Sequence, residues 1–239
     1  MIKKAKLITS IVFVVAELAF LCAILFDKQK SLVVDYSAIV LAFLFGTAMS
    51  TFDARSELTS FALLFTAVAD LFLVIWTPLV SWRQSIAMTS FSVTQICYFI
   101  RLLLESKTEK AKAVQIALRI IFVAVVEAVT IVVLKTNVDY LSLISMFYYA
   151  NLILNVITAF VQFKRSPLLA FGLLCFLLCD TFVGLQVAIS AGYLPIAESS
   201  IIYKIAYADF NFAWLFYVPS QTLLALSVCF IKDKSKKKA

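Results

Sequence analysis

The chain contains no histidine, and its 239 residues include only four glycines and four prolines. Without histidine there is no Ser-His-Asp relay and no ordinary proton shuttle near neutral pH. A mixed Cys/His zinc site is excluded for the same reason. The five cysteines, Cys22, Cys97, Cys175, Cys179 and Cys229, all fall inside apolar runs. Cys175 and Cys179 stand four apart, not in the C-x-x-C spacing of metal and redox motifs, and all five read as small buried hydrophobes. No metal and no cofactor is expected. Scarce glycine and proline argue against turn-rich β structure. A membrane β-barrel would show short alternating segments, whereas the apolar runs here are long and unbroken. Charge is scarce too, at 15% of residues.

What remains is hydrocarbon. Hydrophobic residues make up 63% of the chain and the mean hydropathy is +1.01. A soluble domain of this size cannot bury so much apolar surface, so lipid must be the solvent for most of it. Eight runs are long enough to span a bilayer as helices: Leu7–Phe26, Tyr36–Phe52, Leu58–Trp76, Gln84–Ile100, Ala113–Leu134, Tyr140–Phe163, Pro167–Ala191 and Phe210–Ile231. The first resembles a signal peptide superficially, but its length and Glu17 make it a membrane helix. The expected architecture is an all-α integral membrane protein of eight transmembrane helices. It would form one domain over residues 1–231, followed by a basic tail over 232–239. The segment 192–209 is read as an interfacial helix or an extension of the eighth span.

The net charge of +7 is distributed unevenly. With both termini on one face, that face carries fifteen Lys and Arg, including five in the tail. The other carries five: Lys28, Lys30, Arg83, Lys135 and Lys204. The positive-inside rule then places both termini in the cytoplasm of a multi-pass cell-membrane protein. The tail becomes a surface for anionic lipid, and no nucleic-acid partner is expected.

Four acids lie deep in the spans: Glu17, Asp70, Glu127 and Asp180. Ile11–Glu17, "IVFVVAE", resembles Ile121–Glu127, "IFVAVVE", and Leu63–Phe72, "LLFTAVADLF", resembles Leu173–Phe182, "LLCFLLCDTF"; both offsets are 110 residues. A shift of four helices preserves direction, so the pattern predicts a parallel 4+4 duplication with halves 1–110 and 111–231. Asp70, Glu127 and Asp180 fall 12 to 14 residues into their spans, about 18–21 Å at 1.5 Å per residue. Gln95, Asn151, Asn155 and Gln221 reach a similar level from the other side. Tyr148, Asn151, Asn155, Thr158 and Gln162 recur at steps of three and four and form one helical stripe. Tyr98 shares a face with Gln95, and Tyr217 with Gln221. A common polar interior is therefore expected. Any single Asn or Gln could instead simply join helices, for about 1 kcal/mol. Arg119 is the one deep cation, so most of these acids lack a counter-charge, a condition suited to proton donation or transfer.

"LLFTAVADLFLV", "SFSVTQICYFI", "LLCFLLCDTFVGL" and "LFYVPSQTLLAL" resemble segments of the lysoplasmalogenase family, the YhhN-like membrane proteins. Asp70 and Asp180 fall on two family aspartates, and Tyr98, Tyr217 and Gln221 on family polar positions. The chain departs from the family pattern at Ala69 for glycine, Cys179 for serine and Gln95 for histidine, and it has no Lys-Pro motif in the second helix. The resemblance implies hydrolysis of the vinyl ether bond of lysoplasmalogens, with Asp70 and Asp180 dividing the acid and counter-charge roles. Gln95, Tyr98, Glu127, Asn151, Asn155, Tyr217 and Gln221 are then candidate contacts to a lysophospholipid-like substrate or to water. Two other functions share the same features: a catalytically silent lipid-binding relative, and a small-molecule or proton-coupled transporter. Few Gly and Pro argue against the broken helices of the latter. A retinal receptor is discounted because no lysine lies between Lys164 and Lys204.

Overall fold

In a computed structural model, residues 2–26, 31–51, 53–76, 80–190, 192, 194–208 and 210–231 are described. The basic tail, Lys28 and Lys30 lie outside them. The helices are α1 (Ile2–Phe26), α2 (Leu32–Met49), α3 (Ala54–Asp70), α4 (Ser81–Glu105), α5 (Glu109–Leu134), α6 (Tyr140–Val161), α7 (Pro167–Ser190), a six-residue α8 (Ile201–Ala206) and α9 (Phe212–Cys229). No strand occurs among the described residues. All but α8 are long and apolar enough to cross a bilayer, α3 together with the π turn that continues it to Ile75, which makes this an all-α membrane protein with eight spans. The observed ends lie within a few residues of the apolar runs, because the length of a span is set by the hydrocarbon it must cross. The segment 192–209 holds the short α8.

Local chemistry sets several ends. Asp53 caps α3 through the Arg55 N–H, and Asp139 and Ser142 form a reciprocal capping box at α6. At the far end of α3 the backbone loosens from α to π geometry over Leu71–Ile75, directly after Asp70. Such π turns concentrate at functional sites.

Helix pairings repeat on a shift of four spans. α3 packs on α4 as α7 packs on α9; α2 on α3 as α6 on α7; α1 on α2 as α5 on α6; and α4 on α6 as α9 on α2. This is the set of pairings expected when four spans are followed by four more in the same arrangement. The hydrogen bonds carry it further. Thr94 donates to the Ala62 carbonyl (3.1 Å), and Ser220 donates to the Gly172 carbonyl (2.9 Å). Ala62 and Gly172 are 110 residues apart. Thr94 and Ser220 are 126 apart, as are Gln95 and Gln221. The extra 16 residues are absorbed in the 192–209 segment. The symmetry is broken where α1 and α3 both close on α9, with no comparable packing of α5 or α7 on α4. On α5 only Arg119 and Thr130 are buried.

Small residues let the helices approach. Ala62, Ala69, Ala87, Ala170 and Ala225 are fully enclosed. A Cβ on Gly172 would lie 2.8 Å from the Leu224 Cγ, so α7 and α9 meet there at a distance only glycine allows. On the face where α1 begins and α9 ends, called the terminal face below, Arg101 is fully buried. It donates to Thr59 (2.6 Å), Ser227 (2.7 Å) and Ser166 (3.1 Å), with Glu105 at 3.4 Å.

Candidate active site

The opposite half of the bundle holds the two aspartates, each with a tyrosine from another helix. The Tyr217 hydroxyl on α9 donates to Asp70 Oδ2 on α3, and the Tyr148 hydroxyl on α6 donates to Asp180 Oδ2 on α7. Phe176 lies between the pairs, its ring centroid 5.6 Å from that of Tyr217 and 6.4 Å from that of Tyr148. Phe91 packs against both Phe176 (5.9 Å) and Tyr148 (5.5 Å). Through Phe176 the two pairs belong to one packed layer, and Cys179, buried, directly precedes Asp180. Asp70 is 3% exposed, whereas Asp180 is only partly buried. In each pair the second carboxylate oxygen has capacity left for another hydrogen bond.

The level of this layer follows from helix length. Asp70 stands 16 residues beyond Ala54, about 24 Å from the terminal face, and Asp180 stands 13 beyond Pro167, about 20 Å. Both therefore lie past the middle of the bundle, Asp70 further than its apolar run suggested because α3 begins four residues earlier.

A second layer lies nearer the terminal face. Asn155 Nδ2 donates to both the Gln95 carbonyl (2.8 Å) and Gln95 Oε1 (2.9 Å). Arg119 donates to Asn151 Oδ1 (2.5 Å) and Asn155 Oδ1 (2.6 Å), with its guanidinium 3.8 Å from the centre of the Phe99 ring. The deep cation thus serves two amides instead of an acid. Gln95, Asn155 and Gln221 are fully enclosed. Among the described residues, both side-chain polar atoms of Gln221, the Tyr98 hydroxyl and both carboxyl oxygens of Glu17 and Glu127 have no hydrogen-bond partner.

The residues expected to share one interior are thus distributed over two levels. Asp70, Asp180 and Tyr217 come together in the aspartate–tyrosine layer. Gln95, Asn151 and Asn155 come together in the amide layer. No bond joins Glu127, Tyr98 or Gln221 to either. Tyr148 was legible only as the head of the polar stripe on α6, and its role as the Asp180 partner has no sequence signal. Phe176 is hidden among the other aromatics. Arg101, counted in the sequence as a surface charge, carried one clue: an acid four residues later on the same helix face.

The two aspartate–tyrosine pairs can hold and move a proton, and can stabilise a cation between two carboxyl groups. A family model described as the YhhN family matches residues 31–228. No curated protein matches the chain. No solved structure matches it.

Proposed function

The chain belongs to the YhhN family, which includes lysoplasmalogenases, and from that premise we propose that it is a membrane hydrolase of the vinyl ether bond in lysoplasmalogen-type lipids. The observation that carries this reading is the pair of carboxyl groups on either side of Phe176, each anchored by a phenol from a different helix. Vinyl ether hydrolysis requires little more than two such groups. A carboxyl proton adds to the vinyl carbon remote from oxygen and leaves an oxocarbenium ion. The other carboxyl group, as the anion, stabilises that cation and takes a proton from the water that adds to it. The hemiacetal then breaks its C–O bond to the glycerol oxygen, which receives the hydroxyl proton. One water is consumed, and a fatty aldehyde and a glycerophospho-base are released.

The tyrosines hold each carboxyl group in one orientation and share its charge when it is ionised. Phe91, Tyr148, Phe176 and Tyr217 form an aromatic wall suited to an alkenyl chain. The substrate, an amphiphile of the bilayer, enters laterally on the side of the partly exposed Asp180. The basic asymmetry supports a cell-membrane protein with cytoplasmic termini.

The test is incubation of purified protein with a lysoplasmalogen, following aldehyde release, with a saturated ether lysolipid as control. Aldehyde from the first and none from the second is expected. Folded protein that yields no aldehyde from any lysoplasmalogen head group would remove the reading.

A further inference from the structure

One side of α3 is polar from Thr59 to Asp70. Thr59, Thr66 and Asp70 stand seven and four residues apart, on a single face of the helix, and all three are buried. Bonds at both ends show what covers that face. At the far end Asp70 accepts from Tyr217 of α9. Toward the terminal face, Thr59 and Ser227 of α9 accept from the same nitrogen of Arg101 on α4 (2.6 and 2.7 Å). Helices α4 and α9 therefore cover this face between Asp70 and Thr59. Midway, Thr66 meets Thr94 of α4 (3.4 Å), whose hydroxyl donates to the Ala62 carbonyl (3.1 Å). Each covering helix brings one more polar group to this stretch. Gln221 follows Tyr217 by one turn on the same side of α9, and Tyr98 stands one turn from Thr94 and three residues from Arg101 on α4. Both are fully enclosed, yet the Tyr98 hydroxyl and both polar atoms of the Gln221 amide bond to no described residue. The same is true of Gln95 Nε2, three residues before Tyr98. Gln221 lies nine residues from the start of α9 and eight from its end, about 12–13 Å from either. A donor or acceptor left unpaired at that depth carries its full desolvation cost, and here four such atoms belong to three side chains.

We propose that Gln221 and Tyr98 hold an internal water site between the Asp70–Tyr217 pair and Arg101. The unpaired groups select the ligand. They are neutral and offer donors and acceptors together: the Gln221 amide brings both, the phenol is either, and Gln95 Nε2 donates. An anion would need a cation, but Arg101 is engaged with Thr59, Ser227 and Ser166, and Arg119 with Asn151 and Asn155. A hard metal ion takes six or more oxygen ligands, whereas Gln221 Oε1 and the Tyr98 hydroxyl are the acceptors among these four atoms. Enclosure of all three side chains leaves no opening for a larger alcohol or amide. A buried water makes about three hydrogen bonds to groups that otherwise lack them, and these atoms supply that number. The repeat does not provide a second copy. Gln95 is the counterpart of Gln221 at the offset of 126, but its Oε1 accepts from Asn155, and the counterpart of Tyr98 is Leu224. Position gives the water a use. Gln221 is one turn, about 6 Å along α9, from the tyrosine that holds Asp70. Vinyl ether hydrolysis consumes one water, whose oxygen bonds to the oxocarbenium carbon while its proton passes to the ionised carboxyl group. The site stands on burial and on the unpaired atoms. Naming its water as the one consumed rests on the hydrolase reading.

The experiment exposes the purified full-length chain to X-ray-generated hydroxyl radicals, which oxidise side chains beside bound water, and reads the oxidised peptides by mass spectrometry. Tyr98 should be oxidised although it is fully enclosed. Phe13 and Phe45, buried and stacked at 3.9 Å in an apolar contact, should not be. Gln221→Leu should lower the Tyr98 signal severalfold. Protection of Tyr98 equal to that of the two phenylalanines, or a Tyr98 signal unchanged by Gln221→Leu, would overturn the site. Thermal melting gives a second test, by sign. Removing a hydroxyl that binds water should lower the melting temperature of Tyr98→Phe by about 2–4 °C, the value of one hydrogen bond in a chain of this size. Removing a dry, unpaired hydroxyl would raise it, and that outcome overturns the site even if Gln221→Leu does not fold. Where the protein releases aldehyde, Gln221→Leu should lower kcat about tenfold with KM unchanged. A normal kcat would overturn the assignment of this water to the reaction. Neither oxidation nor melting needs turnover, so an oxidised Tyr98 in a protein that never releases aldehyde would keep the site and discard only the hydrolase reading.

Discussion

An aspartate at the middle of a membrane helix costs roughly 2.5–3.5 kcal/mol on insertion scales, and Asp70 and Asp180 each meet that cost beside a phenol. If the carboxyl groups carry the reaction, Asp70→Asn and Asp180→Asn should each lower kcat by about 10²–10⁴-fold, the usual value of a positioned acid or base. The proteins should stay folded, and the double variant should be little worse than either single one. Asn preserves size and hydrogen bonding but can neither donate an acidic proton nor carry negative charge. Normal turnover by a folded Asp70→Asn protein would leave Asp70 a purely structural residue. The phenols give a graded version of the same test. Tyr217→Phe and Tyr148→Phe each remove the hydrogen bond that shares the charge of a carboxyl group when it is ionised, worth about 1.5–3 kcal/mol, so kcat should fall about 10- to 150-fold. A selective rise in KM with unchanged kcat would instead make the tyrosines binding residues.

Among the elements, the closest seam is the one between α7 and α9, where Gly172 meets Leu224 and Ser220 holds the glycine carbonyl. Gly172→Ala places a methyl group against Leu224 and its backbone. Overpacking of this kind typically costs about 1–3 kcal/mol. The variant should melt earlier in detergent, whereas Gly184→Ala, with nothing within 4 Å of its added Cβ, should not. The start of α6 gives a pH test outside the bilayer. The Ser142 backbone N–H, donating to Asp139 Oδ1 at 2.7 Å, holds the Asp139 carboxyl below the usual carboxylate range. A depressed folded-state value stabilises above the ordinary Asp range, and that contribution is lost as pH falls through the depressed value. Asp139→Asn keeps the cap without the titration, so thermal melts between pH 7 and pH 3 should show a slightly smaller acid loss than wild type. An unchanged profile would remove the charge from the cap's contribution.

For the whole molecule, fifteen basic residues against five predict the orientation. A cysteine at Lys135, in the exposed turn between α5 and α6, should react with an impermeant maleimide from outside intact cells, and tags on either terminus should not. Labelling of Lys135→Cys only after the membrane is opened would invert the topology. The pairing of helices on a shift of four adds a folding expectation: separately expressed halves 1–110 and 111–239 should associate in one membrane. Their joint surface includes the α4–α6 and α2–α9 contacts and the buried Arg101–Ser227 bond.

The chain alone determined that it spans a membrane eight times, where the spans lie, which residues are the deep acids, and that two of them stand 110 residues apart in similar segments. These properties depend on composition and on distance along a helix axis, and the bilayer imposes both on a linear string. The tertiary structure decided which helix faces meet, and with that the partners. A helical period limits which residues of one helix share a face, but not which neighbour that face meets. Hence Tyr148 and Tyr217, not Arg119 or Gln95, stand beside the aspartates. Arg119 turns to Asn151 and Asn155, and Glu17, the one early acid in α1, is buried with no hydrogen-bond partner among the described residues. The repeat was legible as an offset of 110 in the aspartate helices. In the glutamine helices it is 126, because the segment 192–209 lengthens one half, and only the matching hydrogen bonds at Ala62 and Gly172 bring the two offsets into register.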